Sequence, residues 1–293
     1  NPALVKPTTA AKTGYEFKEW DKKDDLVLGT EDVVVKALAT ILPDTKEKKD
    51  GVQKPTGYVE VKFVAGENGK LTENNADIAE KVYYVNPTKY VTITPPTAKG
   101  NTGYEFGAWD KDAKIPTQYK DPVTTITANF NKLKDVIPKV NDQIKKPDGY
   151  VTVKFELVGE GGALSDTKPT VYFVNPNKEV ILTGPSVLPA TGYKFNDWDP
   201  ELNWTKYTKD TVIKGSFTKL DDIIPEKKDD GTPNAKPDGY ITVTFDKGDH
   251  GKEITGQTVY YVNPKADPAK TIGEIKKPTV KAETGWKQKA GVD

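Results

Sequence analysis

The chain has 293 residues with 43 basic and 43 acidic side chains, no net charge, and Lys as its sole basic type. It has no Cys, no Met and a single His. That excludes a disulfide framework, a thiolate metal site and a thiol nucleophile, and the neutral balance without Arg argues against nucleic acid, which wants a basic face and a planar guanidinium fork. Hydrophobic residues make up 35% and charged residues 29%, too polar a balance for one compact body of this length, and no apolar run approaches the roughly 18 residues of a membrane span.

In chain order, one set of elements returns at intervals of about 90 residues. The opening Asn1-Pro2 matches the middle of the repeating unit, so the chain reads as a piece of a longer array. Thr13-Gly14-Tyr15 follows and continues into Phe17 and Trp20-Asp21, and Val33 to Ala39 reads loosely as a last strand. The next unit starts at Gly57-Tyr58, where Tyr58 to Phe63 alternates apolar and polar residues with the period of a half-buried strand. Glu67-Asn68-Gly69-Lys70 then suits a turn that needs positive φ. Asn75 to Lys81 hints at a helical turn, Lys81 to Val85 reads as a second strand closed by Asn86-Pro87, and Tyr90 to Thr94 as a further one. Thr102-Gly103-Tyr104 with Phe106 and Trp109-Asp110, and then Thr124 to Phe130, complete the unit.

The same order returns as Tyr150 to Phe155, Gly159 to Gly162, Thr170 to Val174, Asn175-Pro176, Thr191-Gly192-Tyr193 with Phe195 and Trp198, and Thr211 to Phe217. It returns in part as Tyr240 to Phe245, Lys247 to Gly251, Thr258 to Val262, Asn263-Pro264 and Thr284-Gly285-Trp286. The expected domains are therefore a partial repeat over 1–43, full repeats over 56–138 and 148–225, and a partial repeat over 238–293. The Pro- and charge-rich stretches 44–55, 139–147 and 226–237 are expected to be extended linkers.

The Val-x-Phe strand, the Gly turn, the Val-Tyr-Tyr strand, Gly-Tyr-x-Phe-x-x-Trp and the closing Ile-x-Ala-x-Phe together resemble the internalin-type B-repeat family. The most specific matches are Gly103, Tyr104, Phe106 and Trp109, and Gly192, Tyr193, Phe195 and Trp198. Ala39 departs from the pattern where a closing aromatic is due, and Trp204 is an addition. The resemblance implies a small β-grasp-like domain, hence a mainly β (α+β) chain of tandem beads in an elongated array. It also implies an extracellular, cell-wall-attached place on a Gram-positive bacterium, with no shared catalytic residues.

Single motifs carry less. Leu188-Pro189-Ala190-Thr191-Gly192 has the pattern of a sortase signal, but it runs into Tyr193-Lys194-Phe195 rather than an apolar segment and a basic tail. His250 stands where other units have Asn68 and Glu160, so it reads as a turn residue rather than a repeated base. Trp20, Trp109 and Trp198 read as core plugs in preference to a sugar-stacking platform. Asp110-Lys111-Asp112 and Asp199 to Asn203 lack the Gly and the bidentate Glu of a calcium loop. Asn86, Asn175 and Asn263 are candidates for a Lys–Asn amide cross-link, although the Asn-Pro context favours turn closure.

The expected function is a non-catalytic stalk that presents an adhesive domain. Its alternative is repeats that bind a host extracellular protein or glycan with avidity. An enzyme is not expected, no catalytic, cofactor or metal residue is assigned, and no cofactor is implied. The expected partners are neighbouring repeats and an extracellular protein or glycan, with no nucleic acid.

Overall fold

The computed structural model describes residues 5–164 and 168–287, so the reading of Asn1-Pro2 lies outside the described residues. The chain is mainly β, and among the described residues the one helical element is a 3-10 turn at Ile272–Glu274. It divides into two compact units, Asn1–Lys134 with Pro147–Tyr150 and Asp135–Lys146 with Val151–Asp293.

The first unit contains a two-stranded antiparallel sheet of Tyr15–Trp20 and Ala37–Ile41, followed by a five-stranded sheet. The order across the larger sheet is Thr45–Glu47, Glu80–Val85, Val59–Ala65, Val123–Lys132, Tyr104–Trp109. Its two middle strands, Val59–Ala65 and Val123–Lys132, run parallel with Val61 opposite Thr124. Leaving aside the short edge strand, the order is second, first, fourth, third, and the parallel pair closes the unit on itself. The alternating pattern explains which face is covered: Val59, Val61 and Phe63 point into the core, where Phe63 and Val61 are fully buried against Ile126 and Ala128. Each such burial contributes ~1.5–3 kcal/mol. A three-stranded sheet of Ala76–Ile78, Gly69–Glu73 and Thr97–Gly100 adds Leu71 to the core.

The second unit repeats the design. Val136–Pro138, Val171–Val174, Val151–Leu157, Thr211–Lys219 and Tyr193–Asp199 form a five-stranded sheet, again with a parallel middle pair. Val153, Phe155, Val174 and Ile213 fill its core. Ile223–Pro225, Val259–Val262 and Ile241–Thr244 form a three-stranded sheet, and Gly251–Thr255 pairs antiparallel with Thr279–Ala282.

Three local expectations are corrected. Asn75 to Lys81 is not a helical turn: Asn74 and Asn75 both have positive φ (50° and 66°) and pair Glu73 with Ala76, the two-residue loop of a type I′ hairpin. Tyr90 to Thr94 is not a ladder strand but a single bridge, Val91 to Thr117, because Pro95-Pro96 supplies no further donors. Its alternation still operates in packing, since Val91 and Ile93 are buried. Finally, the stretch 44–55 is not free linker throughout: its strand Thr45–Glu47 pairs antiparallel with Glu80–Val85. Val136–Pro138 and Ile223–Pro225 do the same against Val171–Val174 and Val259–Val262. These are edge strands of the sheet that follows them, which is where a strand ending in Pro is tolerated.

Candidate functional site

The recurring aromatics are packing groups in the two complete sheets. Trp109 meets Phe63 edge-on at 5.1 Å, and Trp198 meets Phe155 at 4.9 Å and is 8% exposed. Such pairs contribute about 0.5–1.5 kcal/mol beyond their area. Trp20 meets Phe17 edge-on at 5.6 Å and instead lines an open cavity of about 440 Å³ with Leu26, Leu28, Val33 and Val35.

The three Asn-Pro asparagines are buried and fully engaged. Asn86 Nδ2 donates to Asp44 Oδ1 at 3.2 Å, while its Oδ1 accepts from Thr88 N–H at 3.1 Å and Thr88 Oγ1 at 2.8 Å. Asn175 Nδ2 donates to Asp135 Oδ1 and Asn263 Nδ2 to Asp222 Oδ1, both at 2.9 Å, and each Oδ1 accepts from the N–H two residues on. Each amide thus closes an Asx turn on one side and clamps a carboxylate on the other. The backbone doubles the clamp, because Asn86, Asn175 and Asn263 N–H donate to the carbonyls of Asp44, Asp135 and Asp222. Tyr58, Tyr150 and Tyr240 hydroxyls donate to Pro43, Lys134 and Asp221 carbonyls at 2.9, 2.9 and 3.0 Å. Burial, with Asp44 adding to it, pushes the Tyr58 phenol above its ordinary 10.0, and burial with Asp222 and Asp221 does the same at Tyr240. The carboxylates were missed in the sequence, although a signal exists: Leu42-Pro43-Asp44, Leu133-Lys134-Asp135 and Leu220-Asp221-Asp222 share a Leu-x-Asp spacing.

Other candidates fall into place singly. Leu188 and Pro189 belong to the strand Val187–Pro189, and Ala190 N–H donates to Gly161 O at 2.7 Å, so the sortase-like string is part of a folded turn. His250 stacks flat on Trp286, centroids 3.5 Å apart. Asp110 Oδ1 accepts from Thr127 N–H at 2.7 Å and Asp112 Oδ1 from Lys114 N–H at 2.9 Å, which makes them turn braces. Lys81, 11% exposed at its side chain, bridges Glu73 and Glu47. Although burial pulls its pKa down, the Glu73 hydrogen bond, Tyr83 and Glu47 hold it above the ordinary value. Thr170 occupies the matching place, so this ion group belongs to one copy.

A groove recurs in both units. Tyr15, Phe17, Leu42 and Pro55 line one of about 410 Å³, and the matching Tyr193, Phe195, Leu220 and Pro237 line one of about 680 Å³. Among the described residues no helix is long and apolar enough to cross a membrane.

Residues 1–36 match the family model of the Listeria-Bacteroides repeat domain, a repeat of bacterial surface proteins. That span contains the Gly14-Tyr15-x-Phe17-x-x-Trp20 strand. No curated protein and no solved structure matches the chain.

Proposed function

We propose that this is a non-catalytic repeat region acting as a stalk that holds an adhesive domain away from the wall of a Gram-positive cell. The observation that carries the reading is where the recurring residues go. Val61 and Val153, Phe63 and Phe155, Trp109 and Trp198 are packed inside, and Tyr58, Tyr150, Tyr240 and the three asparagines tie each sheet to the segment before it. Repetition is spent on making the same bead and the same attachment again, as a quasi-one-dimensional protein requires.

Small-angle scattering of the 293-residue chain tests the stalk. Three to four beads of roughly 30 Å each, in line, give a maximum dimension of about 100 Å. A value near the ~50 Å of a compact sphere of this length would sink it.

A second reading has one observation in its favour. The recurring aromatic groove of Tyr15 and Phe17, and of Tyr193 and Phe195, is a surface that repeats beyond the core. Repeats that bind an extracellular protein or glycan with avidity would use such a surface. Replacing Tyr15 and Tyr193 together with Ser then lowers binding to host-cell matrix, whereas a pure stalk is indifferent.

A further inference from the structure

The Thr-Gly-Tyr turn looks at first like a simple reversal, with Gly14, Gly103 and Gly192 in the left-handed region at φ of 88°, 93° and 91°. Positive φ alone explains why Gly is there, but not why all three glycines are buried.

The neighbours supply the reason. In the first unit a Cβ on Gly14 would stand 2.8 Å from Asn86 Nδ2, the atom that donates to Asp44. In the second unit a Cβ on Gly192 would stand 2.6 Å from Asn263 Nδ2, which donates to Asp222. In both places the backbone of one copy rests directly on the amide of the next. The preceding threonine makes a second contact of the same kind. Thr13 Oγ1 sits where Gly57 would carry a Cβ, and a Cβ on Gly239 would be 2.7 Å from Thr191 Oγ1. Gly57 and Gly239 are the glycines of the second recurring string, Gly-Tyr, whose tyrosines bond Pro43 and Asp221. At both Thr13-Gly14 and Thr191-Gly192 the pair therefore faces a Gly and an Asn, from two different motifs of the following copy. Gly285, in the fourth turn at φ 89°, is exposed, and among the described residues nothing lies within 4 Å of a Cβ there.

We infer that Thr-Gly-Tyr is a knob and that the Asp–Asn clamp with the Gly-Tyr glycine is its socket, a non-covalent docking site whose partner is the next repeat of the same chain. Three motifs spread over a whole period then recur for one purpose, and neighbouring repeats are coupled in folding through a joint of backbone and one amide. The joint deepens the stalk reading by giving it stiffness, and it is tested without reference to reach.

Gly192→Ala and Gly285→Ala impose the same local strain, since their φ values are 91° and 89°. They differ in what the new methyl meets: Asn263 in one case, open space in the other. Hydrogen exchange of the full chain, followed by mass spectrometry, reads the socket strands Ile223–Pro225 and Val259–Val262. Gly192→Ala speeds their exchange by about tenfold, within the range for contacting residues, and Gly285→Ala leaves it unchanged. Adding Asn263→Ala removes the extra effect of Gly192→Ala. Thr191→Ala, which strains nothing, gives a smaller rise at the same strands and keeps the test open if Gly192→Ala misfolds. Equal effects from the two glycine variants, or an effect of Gly192→Ala that persists without the Asn263 side chain, would overturn the joint while leaving the scattering result to judge the stalk.

Discussion

The strand Tyr15–Trp20 and the strand Tyr193–Asp199 carry the same Gly-Tyr-x-Phe-x-x-Trp signature and meet different fates. Both pair antiparallel with the strand that follows, and both put a bulge between the Phe and the Trp. Yet Trp198 is buried on Phe155, whereas Phe17 and Tyr15 are 36% and 44% exposed and Trp20 faces an open cavity. The difference lies far away in sequence. Thr211–Lys219 lies parallel to Val151–Leu157, which brings Val153 and Phe155 under the tryptophan. Among the described residues Ala37–Ile41 has Tyr15–Trp20 alone beside it. A local signature is thus sufficient for a hairpin, and a core needs a parallel partner from about 60 residues earlier, a pairing whose loop-closure entropy must be offset by burial.

The largest effect that separates the two regions is at the aromatic under the tryptophan. Phe155→Ala opens a cavity in a closed core and costs about 3–5 kcal/mol in urea unfolding. Phe17→Ala, already at the surface, changes the same curve by less than ~1 kcal/mol. Similar losses at both sites would mean that the first stretch holds a core of its own.

Next in size is the clamp. Asn175→Ala leaves the buried turn without its acceptor and Asp135 without its donor, a loss of about 1–3 kcal/mol. Intact mass adds a second check: the native chain weighs its full sequence mass, whereas a Lys–Asn cross-link would remove one ammonia at each bond.

A smaller effect is alkaline. The Tyr58, Tyr172 and Tyr240 phenols are pushed up by burial, with Asp44 adding to it at Tyr58 and Asp222 and Asp221 at Tyr240. A phenol raised in the fold holds its proton more tightly there than in the unfolded chain. Its stabilisation is therefore whole below about pH 10 and is lost as pH climbs through the folded value. Melting followed from pH 8 to 11 should be flat at first and fall only in the last unit of pH; a fall that begins near neutrality would point to other groups.

Much of this was legible in the residues. Period-2 alternation located Val59–Ala65, Val151–Leu157 and Ile241–Thr244, and Asn-Pro marked the ends of the strands before it. What was not legible depended on distant partners. Asn75 to Lys81 looked helical because the left-handed turn at Asn74-Asn75 is set by the pairing of Glu73 with Ala76. Tyr90 to Thr94 alternates like a strand because it packs like one, although its pairing stops at the bridge to Thr117 and the Ile93 N–H bond to Ala113 O. Thr45–Glu47, polar and three residues long, had no signature until Glu80–Val85 lay beside it. The Thr-Gly-Tyr turn was visible as a repeat, but its place against Asn86 and Asn263 lies in the next period and has no local trace.

The absence of Cys, which first served to exclude a disulfide framework, gives a clean background for the central claim that the parallel pairing makes the core. Ala37 and Ala128 sit opposite Trp20 and Trp109 in equivalent strands, Ala37 exposed and Ala128 fully buried. In single variants Ala37→Cys and Ala128→Cys, the first thiol should react with a small labelling reagent at nearly the rate of a free thiol. The second should be at least about 100-fold slower, because it waits for the strand to open. Labelling at matching rates would contradict the account.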